Sequence, residues 1–213
     1  MNCKICSSKT VRIENSKKDI IYYNCINCDF IFINESNINT PKNERLRYLK
    51  HNNTLDNNNY VKIFKELIEK YIICSKNKIR RILDFGCGSI PVFAKLLKDN
   101  GFIVDVYDKY FFPHKDYFKK KYDLITLIEV IEHLKNPLKE LIHLKNLLNK
   151  KGLFIIKTLF HPENNDIFLK WWYKEDFTHI SFFSQKTFKF LAKLLNMKLL
   201  IINNKDLCVL QKN

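Results

Sequence analysis

Glycine is scarce in this 213-residue chain, and two of its four glycines stand one residue apart in Leu83-Asp-Phe-Gly-Cys-Gly88, directly behind an apolar run that starts at Ile79. A buried strand that ends in closely spaced glycines turns sharply and lets a ligand approach the backbone with no Cβ in the way. The pattern predicts a strand from Ile79 to Phe85, a ligand loop at Gly86-Cys87-Gly88, and a helix from about Pro91, a residue tolerated at a first helical position. Phe102–Tyr107, Tyr122–Ile128 and Leu153–Thr158 read as further buried strands. Between the last two, Leu138, Leu141, Ile142, Leu144, Leu147 and Leu148 mark an amphipathic helix, with Lys150-Lys-Gly152 as its stop. Short apolar strands alternating with helices predict a doubly wound α/β sheet, parallel and covered on both faces. Ser184 is expected to cap a last helix through Leu195, and Leu199–Ile202 with Leu207–Leu210 to form a closing strand pair.

The first 33 residues follow a different rule. Cys3-x2-Cys6-x18-Cys25-x2-Cys28 places two paired-cysteine turns around strand-like segments, Ile20–Tyr23 and Phe30–Ile33, the layout of a small zinc ribbon. Four thiolates close a tetrahedral site and leave no open coordination position, so the expected Zn2+ is structural. Cys74, Cys87 and Cys208 are left as small core or loop residues. The expected division is a ribbon at 1–33, a polar, Asn-rich connector at 34–60, and the main domain at 61–213, entered by a helix carrying Val61, Phe64, Leu67, Ile68, Tyr71 and Ile72 on one face.

Charge and hydropathy narrow the function classes. The formal net charge is +15, which attracts phosphate. Yet only 5 of the 37 basic residues are Arg, the side chain suited to bidentate contacts, and residues 1–33 carry just 5 basic against 3 acidic side chains. The ribbon is therefore not built to grip a phosphate backbone. No window approaches the ~18 apolar residues of a membrane span, and paired cysteines as metal ligands fit a reducing, cytoplasmic location.

Asp84 precedes the glycine loop, and Pro91 stands where a dinucleotide-type loop wants a third glycine. A strand followed by D-x-G-x-G, with Asp108 ending the next strand 20 residues beyond Gly88, resembles the class I S-adenosylmethionine-dependent methyltransferases of bacterial type. The segment Tyr122-Asp-Leu-Ile-Thr-Leu-Ile-Glu-Val-Ile-Glu-His-Leu134 and the aromatic stretch Trp171–Ser184, with its Asp176-Phe-Thr-His179, are similar to that family as well. The resemblance implies a Rossmann-like fold and S-adenosylmethionine as methyl donor. It implies that Asp84, Gly86, Cys87 and Gly88 hold the donor's methionine end, that Asp108 takes its ribose (Asp105 being the weaker alternative), and that Glu129 lines the donor side. His133, His161 and His179, with Glu129, are the candidates for acceptor binding or deprotonation. Residues 47–53 and Tyr60 are expected to close over the donor.

Two departures from the family pattern stand out: Ile90 replaces the loop's usual third glycine, and no strand is legible between Asp108 and Tyr122. Three readings compete. One is a methyltransferase acting on a small molecule or sugar-type metabolite; another is an rRNA or tRNA methyltransferase using the ribbon for RNA contact. The third is a non-catalytic binding protein with a degenerate donor site.

Overall fold

The computed structural model describes residues 1–15, 19–50, 53–75 and 78–213. The chain opens with β1 (Thr10–Asn15), β2 (Ile20–Cys25) and β3 (Ile31–Ile33), then enters α1 (Pro41–Tyr48) and α2 (Asn58–Leu67), which runs on as a π-helical turn over Ile68–Ile73. Local chemistry starts both helices. Thr40 accepts the Asn43 N–H ahead of Pro41, and Asn57 accepts the Tyr60 N–H.

The main sheet follows, with β4 (Arg81–Phe85), α3 (Val92–Asp99), β5 (Ile103–Tyr107), β6 (Tyr122–Ile128), α4 (Pro137–Leu147), β7 (Leu148–Lys157), α5 (Asn165–Lys170), β8 (Ser181–Phe182), α6 (Gln185–Leu194), β9 (Met197–Ile202) and β10 (Leu207–Lys212). Its order is β5-β4-β6-β7-β10-β9. The first four strands are parallel, and β10 lies antiparallel between β7 and β9. Phe64 of α2 with Phe93 and Leu97 of α3 cover Ile82 and Ile155 on one face. On the other, Leu141 and Leu144 of α4 with Phe188 and Leu191 of α6 cover Ile125 and Phe154. This is the expected doubly wound α/β sheet. Between Asp108 and Tyr122 the chain makes a 3-10 turn at Lys115–Lys119 in place of a strand. Ser184 caps α6 in a reciprocal box with Thr187, as its position predicts.

The expected stop at Lys150-Lys-Gly152 does not end α4. The helix closes at Leu147, and Leu148 is already extended (ψ 139°) and paired with Tyr122. Burial of Leu148 in the sheet outweighs one more helical turn. Lys151 (φ 60°) and Gly152 then form an irregularity that shifts the register of β7 on β6. A Cβ at Gly152 would lie 2.9 Å from the Asn149 carbonyl oxygen.

The N-terminal strands form a second sheet, ordered β1-β2-β3-β8, in which Ile31 pairs with Phe182 and Phe32 with Ser181. Phe30 and Phe32 stack at 5.6 Å, Phe30 meets Phe183 at 5.1 Å, and Phe183 meets Phe188 of α6 at 5.3 Å. The cysteine-bearing segment thus shares a core with the main sheet.

Asp105, the weaker ribose alternative, points away from the sheet's carboxyl end. It binds Lys120 at 2.6 Å, Arg81 at 3.1 Å and the Tyr122 hydroxyl at 3.2 Å. Burial works to raise its pKa, but these three partners outweigh it and hold the carboxyl below its ordinary 3.8. A depressed carboxyl contributes stability that is complete above the unfolded value and disappears as pH falls through the folded one. Asp105→Asn should therefore cost about 1 kcal/mol at pH 7, and the cost should shrink as pH falls through the folded value. Urea unfolding across a pH series from 7 downward checks this, and a cost independent of pH would sink the assignment.

Candidate active site

The carboxyl ends of β4, β5, β6 and β7 surround a cavity of about 820 Å³, where open α/β sheets take ligands. Its two ends differ in chemistry.

At one end lies the glycine loop. The Gly86 and Cys87 N–H groups both donate to the Tyr107 carbonyl, at 2.7 and 3.1 Å, which folds the loop back over β5. Gly86 sits at φ 84°, and a Cβ there would fall 2.3 Å from Cγ2 of Val130. Gly88 (φ 72°) is different: a Cβ would meet nothing within 4 Å, so its Cα borders open space. Asp108 is buried and accepts the N–H groups of Gly88 at 3.2 Å, Tyr110 at 2.8 Å and Phe111 at 3.1 Å. A carboxylate offers about four acceptor positions. Asp108 therefore locks the loop and retains acceptor capacity toward the cavity it lines.

Asp84, expected among the donor-binding residues, does not line the cavity. It lies buried beneath the loop, accepting the Thr126 hydroxyl at 3.0 Å, and burial pushes its pKa up to about 7. A position two residues before the turn faces into the sheet, so this side chain supports the loop from below.

The other end is built by the turn after β6 and the segment before β8. Glu129 has left-handed backbone (φ 53°), a conformation costing ~1–3 kcal/mol for a non-glycine residue. Its N–H donates to the Lys157 carbonyl at 2.8 Å, and its carboxylate meets Lys157 Nζ at 2.9 Å and the Tyr173 hydroxyl at 2.9 Å. Lys157 also pairs with Asp206 at 3.0 Å. Burial works to lower the Lys157 pKa, but the two carboxylates more than offset it, so the ammonium is firmly charged.

His133 and His179 stand together, with ring centroids 4.9 Å apart. Each uses Nδ1 against a backbone carbonyl, Thr178 at 2.8 Å for His133 and Tyr173 at 2.7 Å for His179. A carbonyl only accepts, so Nδ1 carries the proton in both rings and Nε2 keeps its lone pair. Burial, and then the neighbouring imidazole, lower the His133 pKa to about 3; burial lowers that of His179. Both rings are neutral at physiological pH.

His161, the remaining candidate, stands apart. Its side chain has no solvent exposure, and its ring nitrogens face the Pro162 carbonyl at 2.9 Å and the Asp29 carbonyl at 2.8 Å. It fastens the second cysteine turn to the main domain and does not reach the cavity.

A roof comes from α1. Arg47 pairs with Asp176 at 2.7 Å, Glu44 binds Lys109 at 2.7 Å and the Tyr110 hydroxyl at 2.6 Å, and Tyr48 lies edge-on to His133 at 5.2 Å. Within the expected closing segment, Arg47, Tyr48 and Asn53 line the cavity, as does Tyr60. His51 and Asn52 lie outside the described residues.

Two lining residues escaped sequence reasoning, Lys157 and Tyr173, and so did Glu132, which lies wholly buried behind the lining. A lysine at the carboxyl end of the apolar run Leu153–Ile156 is the signal that marks the first. Tyr173 was hidden among aromatics that serve mainly as core, and Glu132 becomes visible only when Tyr173 folds against it.

The cysteine cluster lies away from this cavity. Cys3 and Cys28 sulfurs are 3.6 Å apart, Cys6 and Cys25 sulfurs 3.3 Å, and all four fall within 4.8 Å of one another. A tetrahedral ion with metal–sulfur bonds of ~2.3 Å wants sulfurs about 3.8 Å apart. The donor set and spacing fit Zn2+.

The methyltransferase-domain family model matches residues 45–200, well over half of the chain. Among solved structures, the fold is similar to TnmH (TM-score 0.54, 12% identity, 73% of this chain and 55% of that one). It is also similar to the mitomycin 7-O-methyltransferase MmcR (0.54, 9%, 72% and 54%). A third likeness is to a SAM-dependent methyltransferase from Archaeoglobus fulgidus (0.52, 16%, 71% and 94%). The chain spans little more than half the length of the first two. No curated protein matches the sequence.

Proposed function

We propose, since this chain belongs to the class I S-adenosylmethionine-dependent methyltransferases, that it methylates a small organic or sugar-type acceptor held at the histidine-lined end of its cavity. The observation that carries this reading is one cavity with two unlike ends, a glycine loop with Asp108 at one and neutral imidazoles under an aromatic roof at the other. Its volume, about 820 Å³, suits a nucleoside-sized donor beside a small acceptor. The roof formed by α1 and tied by Arg47 to Asp176 argues against a polymer substrate.

The donor supplies a methyl group already activated on a sulfonium, so the chain's own residues need chiefly to align two partners. The glycine loop accommodates the donor's amino-acid end, and Asp108 accepts from its ribose hydroxyls. Glu129, fixed by Lys157, puts negative charge beside the sulfonium. His133 and His179 present Nε2 lone pairs that orient an acceptor hydroxyl. Zn2+ at the four cysteines is structural, a closed set of thiolates with no free coordination position.

Calorimetric titration of the full chain with S-adenosylmethionine tests the donor site, with one donor per chain expected. Asp108→Ala removes the ribose acceptor and strands three backbone donors, and should weaken binding by at least ~30-fold, about 2 kcal/mol. Unchanged affinity would remove Asp108 from the site. Incubation with methyl-labelled donor and cell extract should then place the label in the small-molecule fraction; label in RNA would overturn the acceptor class.

A further inference from the structure

Beside the acceptor end, Glu132 is wholly buried yet poorly served. Its Oε1 accepts the Tyr173 hydroxyl, while Oε2 has no hydrogen-bond partner. That hydroxyl holds one proton and faces two carboxylates, Glu132 and Glu129, so it serves one at a time. The nearby ammonium of Lys157 is taken up by Glu129 and Asp206. A buried carboxyl oxygen left without partner is costly, and the cost is relieved either by a proton or by a positive species brought to that oxygen.

The neighbours of Glu132 narrow what that species is. His133 is adjacent in the turn after β6, and His179 is brought in from the segment before β8, its ring 4.1 Å from Tyr173. Glu132, His133 and His179 each offer a ligand atom, and the three atoms lie within 4.8 Å of one another. Because Nδ1 of each histidine is spent on a backbone carbonyl, both rings turn lone pairs, not N–H groups, toward the remaining space. Two imidazole lone pairs and a carboxylate oxygen cannot hydrogen-bond to one another. An electron-pair acceptor suits all three at once.

We infer that Glu132, His133 and His179 form a second metal site, distinct from the cysteine cluster, that binds a divalent cation of the Mn2+, Fe2+ or Zn2+ type at the acceptor end of the cavity. Two imidazoles and one carboxylate are a donor set for such ions, with positions left for water or substrate oxygen. The second-sphere partners are in place: each imidazole donates its other nitrogen's proton to a carbonyl, and the carboxylate is held by Tyr173. Binding draws the ligand atoms inward by about 1 Å, to the ~3–3.5 Å separations of ligands bonded at ~2.1 Å. This deepens the methyltransferase reading and rests on it: coordination of an acceptor hydroxyl replaces its direct hydrogen bond to the imidazoles, and a bound cation lowers that hydroxyl's pKa. The acceptor class that follows is an oxygen nucleophile, favourably one with two adjacent oxygens able to chelate.

Titration of the full chain with Mn2+, followed by calorimetry and by electron paramagnetic resonance of the free ion, tests the site without any turnover. Mn2+ favours oxygen and nitrogen over thiolate, so the cysteines do not compete. The expected result is one Mn2+ per chain, weakened at least tenfold in Glu132→Gln, which preserves side-chain volume, and in His179→Gln. In the wild-type chain, Mn2+ should broaden the imidazole proton resonances of His133 and His179 while sparing those of His161, a readout that needs no variant to fold. Absence of Mn2+ binding, affinity unchanged in folded variants, or broadening elsewhere would overturn the site. Donor titration of the same samples separates the two ideas: donor bound without Mn2+ sinks only the cation, whereas Mn2+ bound without donor sinks the methyltransferase reading of the cavity.

Discussion

Gly86→Ala should lower affinity for S-adenosylmethionine by at least ~100-fold, about 3 kcal/mol. Two independent effects act at this position. The backbone is left-handed at φ 84°, which costs an L-residue roughly 1–2 kcal/mol. The new Cβ also lands 2.3 Å from Cγ2 and 2.9 Å from Cγ1 of Val130, a buried side chain just after β6. Overpacking of this kind adds about 1–3 kcal/mol. Gly86 and Val130 both line the cavity, so relief of the clash disturbs the donor end whichever side gives way.

Gly88→Ala is the control. Its Cβ meets nothing, so only the backbone cost of roughly 1–2 kcal/mol applies, and donor affinity falls less. Val130→Ala in the Gly86→Ala background should recover part of the loss, because it removes both close methyl groups, and the coupling between the two sites should be at least ~1 kcal/mol. Additive effects of the two substitutions would mean that Val130 is not what excludes a side chain here.

If the four cysteines hold Zn2+ as proposed, its removal should lower the melting temperature of the whole chain by roughly 10 °C or more. Structural zinc sites contribute folding free energy directly, on the order of 10 kcal/mol in small isolated modules, and loss of only about 4 kcal/mol here produces that shift. The effect extends beyond the first 33 residues because the second cysteine turn is built into the main domain. Thr187 of α6 donates to the Cys28 carbonyl at 3.0 Å, and His161 meets the Asp29 carbonyl at 2.8 Å. Phe30 and Phe32 are buried with Phe183 and Phe188, each worth about 1.5–3 kcal/mol of burial. Through β3 and β8 the disturbance reaches Ile180, whose N–H donates to the Glu132 carbonyl at 2.9 Å beside the acceptor end. Scanning calorimetry before and after chelation, with metal content measured, checks this. The Cys25→Ser variant should behave like the stripped protein. An unchanged melting temperature in protein shown to be metal-free would exclude a structural ion.

Much of the architecture was legible because it is written in local pattern. The run ending in Gly86-Cys87-Gly88, the strand at Tyr122–Ile128, the Ser184 cap and the closing strand pair follow from hydrophobic periodicity and turn chemistry, which act over a few residues and survive in any context. The cluster of four cysteines is equally local in signature, since two short turns carry all four thiols. Asp108 could be placed beside the glycine loop because the D-x-G-x-G resemblance implies a carboxylate at the end of the next strand, where open α/β sheets take ligands.

What the tertiary structure decided are the encounters between segments far apart in sequence. Ser181–Phe182 is too short to announce itself as a strand and exists as one because β3 offers an edge to pair with. Leu148 leaves α4 for β7 because the sheet buries it, against the stop signal at Gly152. His161 and His179 look alike on paper, each beside aromatics after the same strand, yet one fastens the cysteine turn and the other faces His133. The pairing of Lys157 with Asp206, and of Tyr173 with Glu129 and Glu132, depends on distances across 41 or more residues of chain that no periodicity encodes. Charges and hydrogen bonds at such separations have energies set by burial and geometry, and both come into being only when the chain has closed on itself.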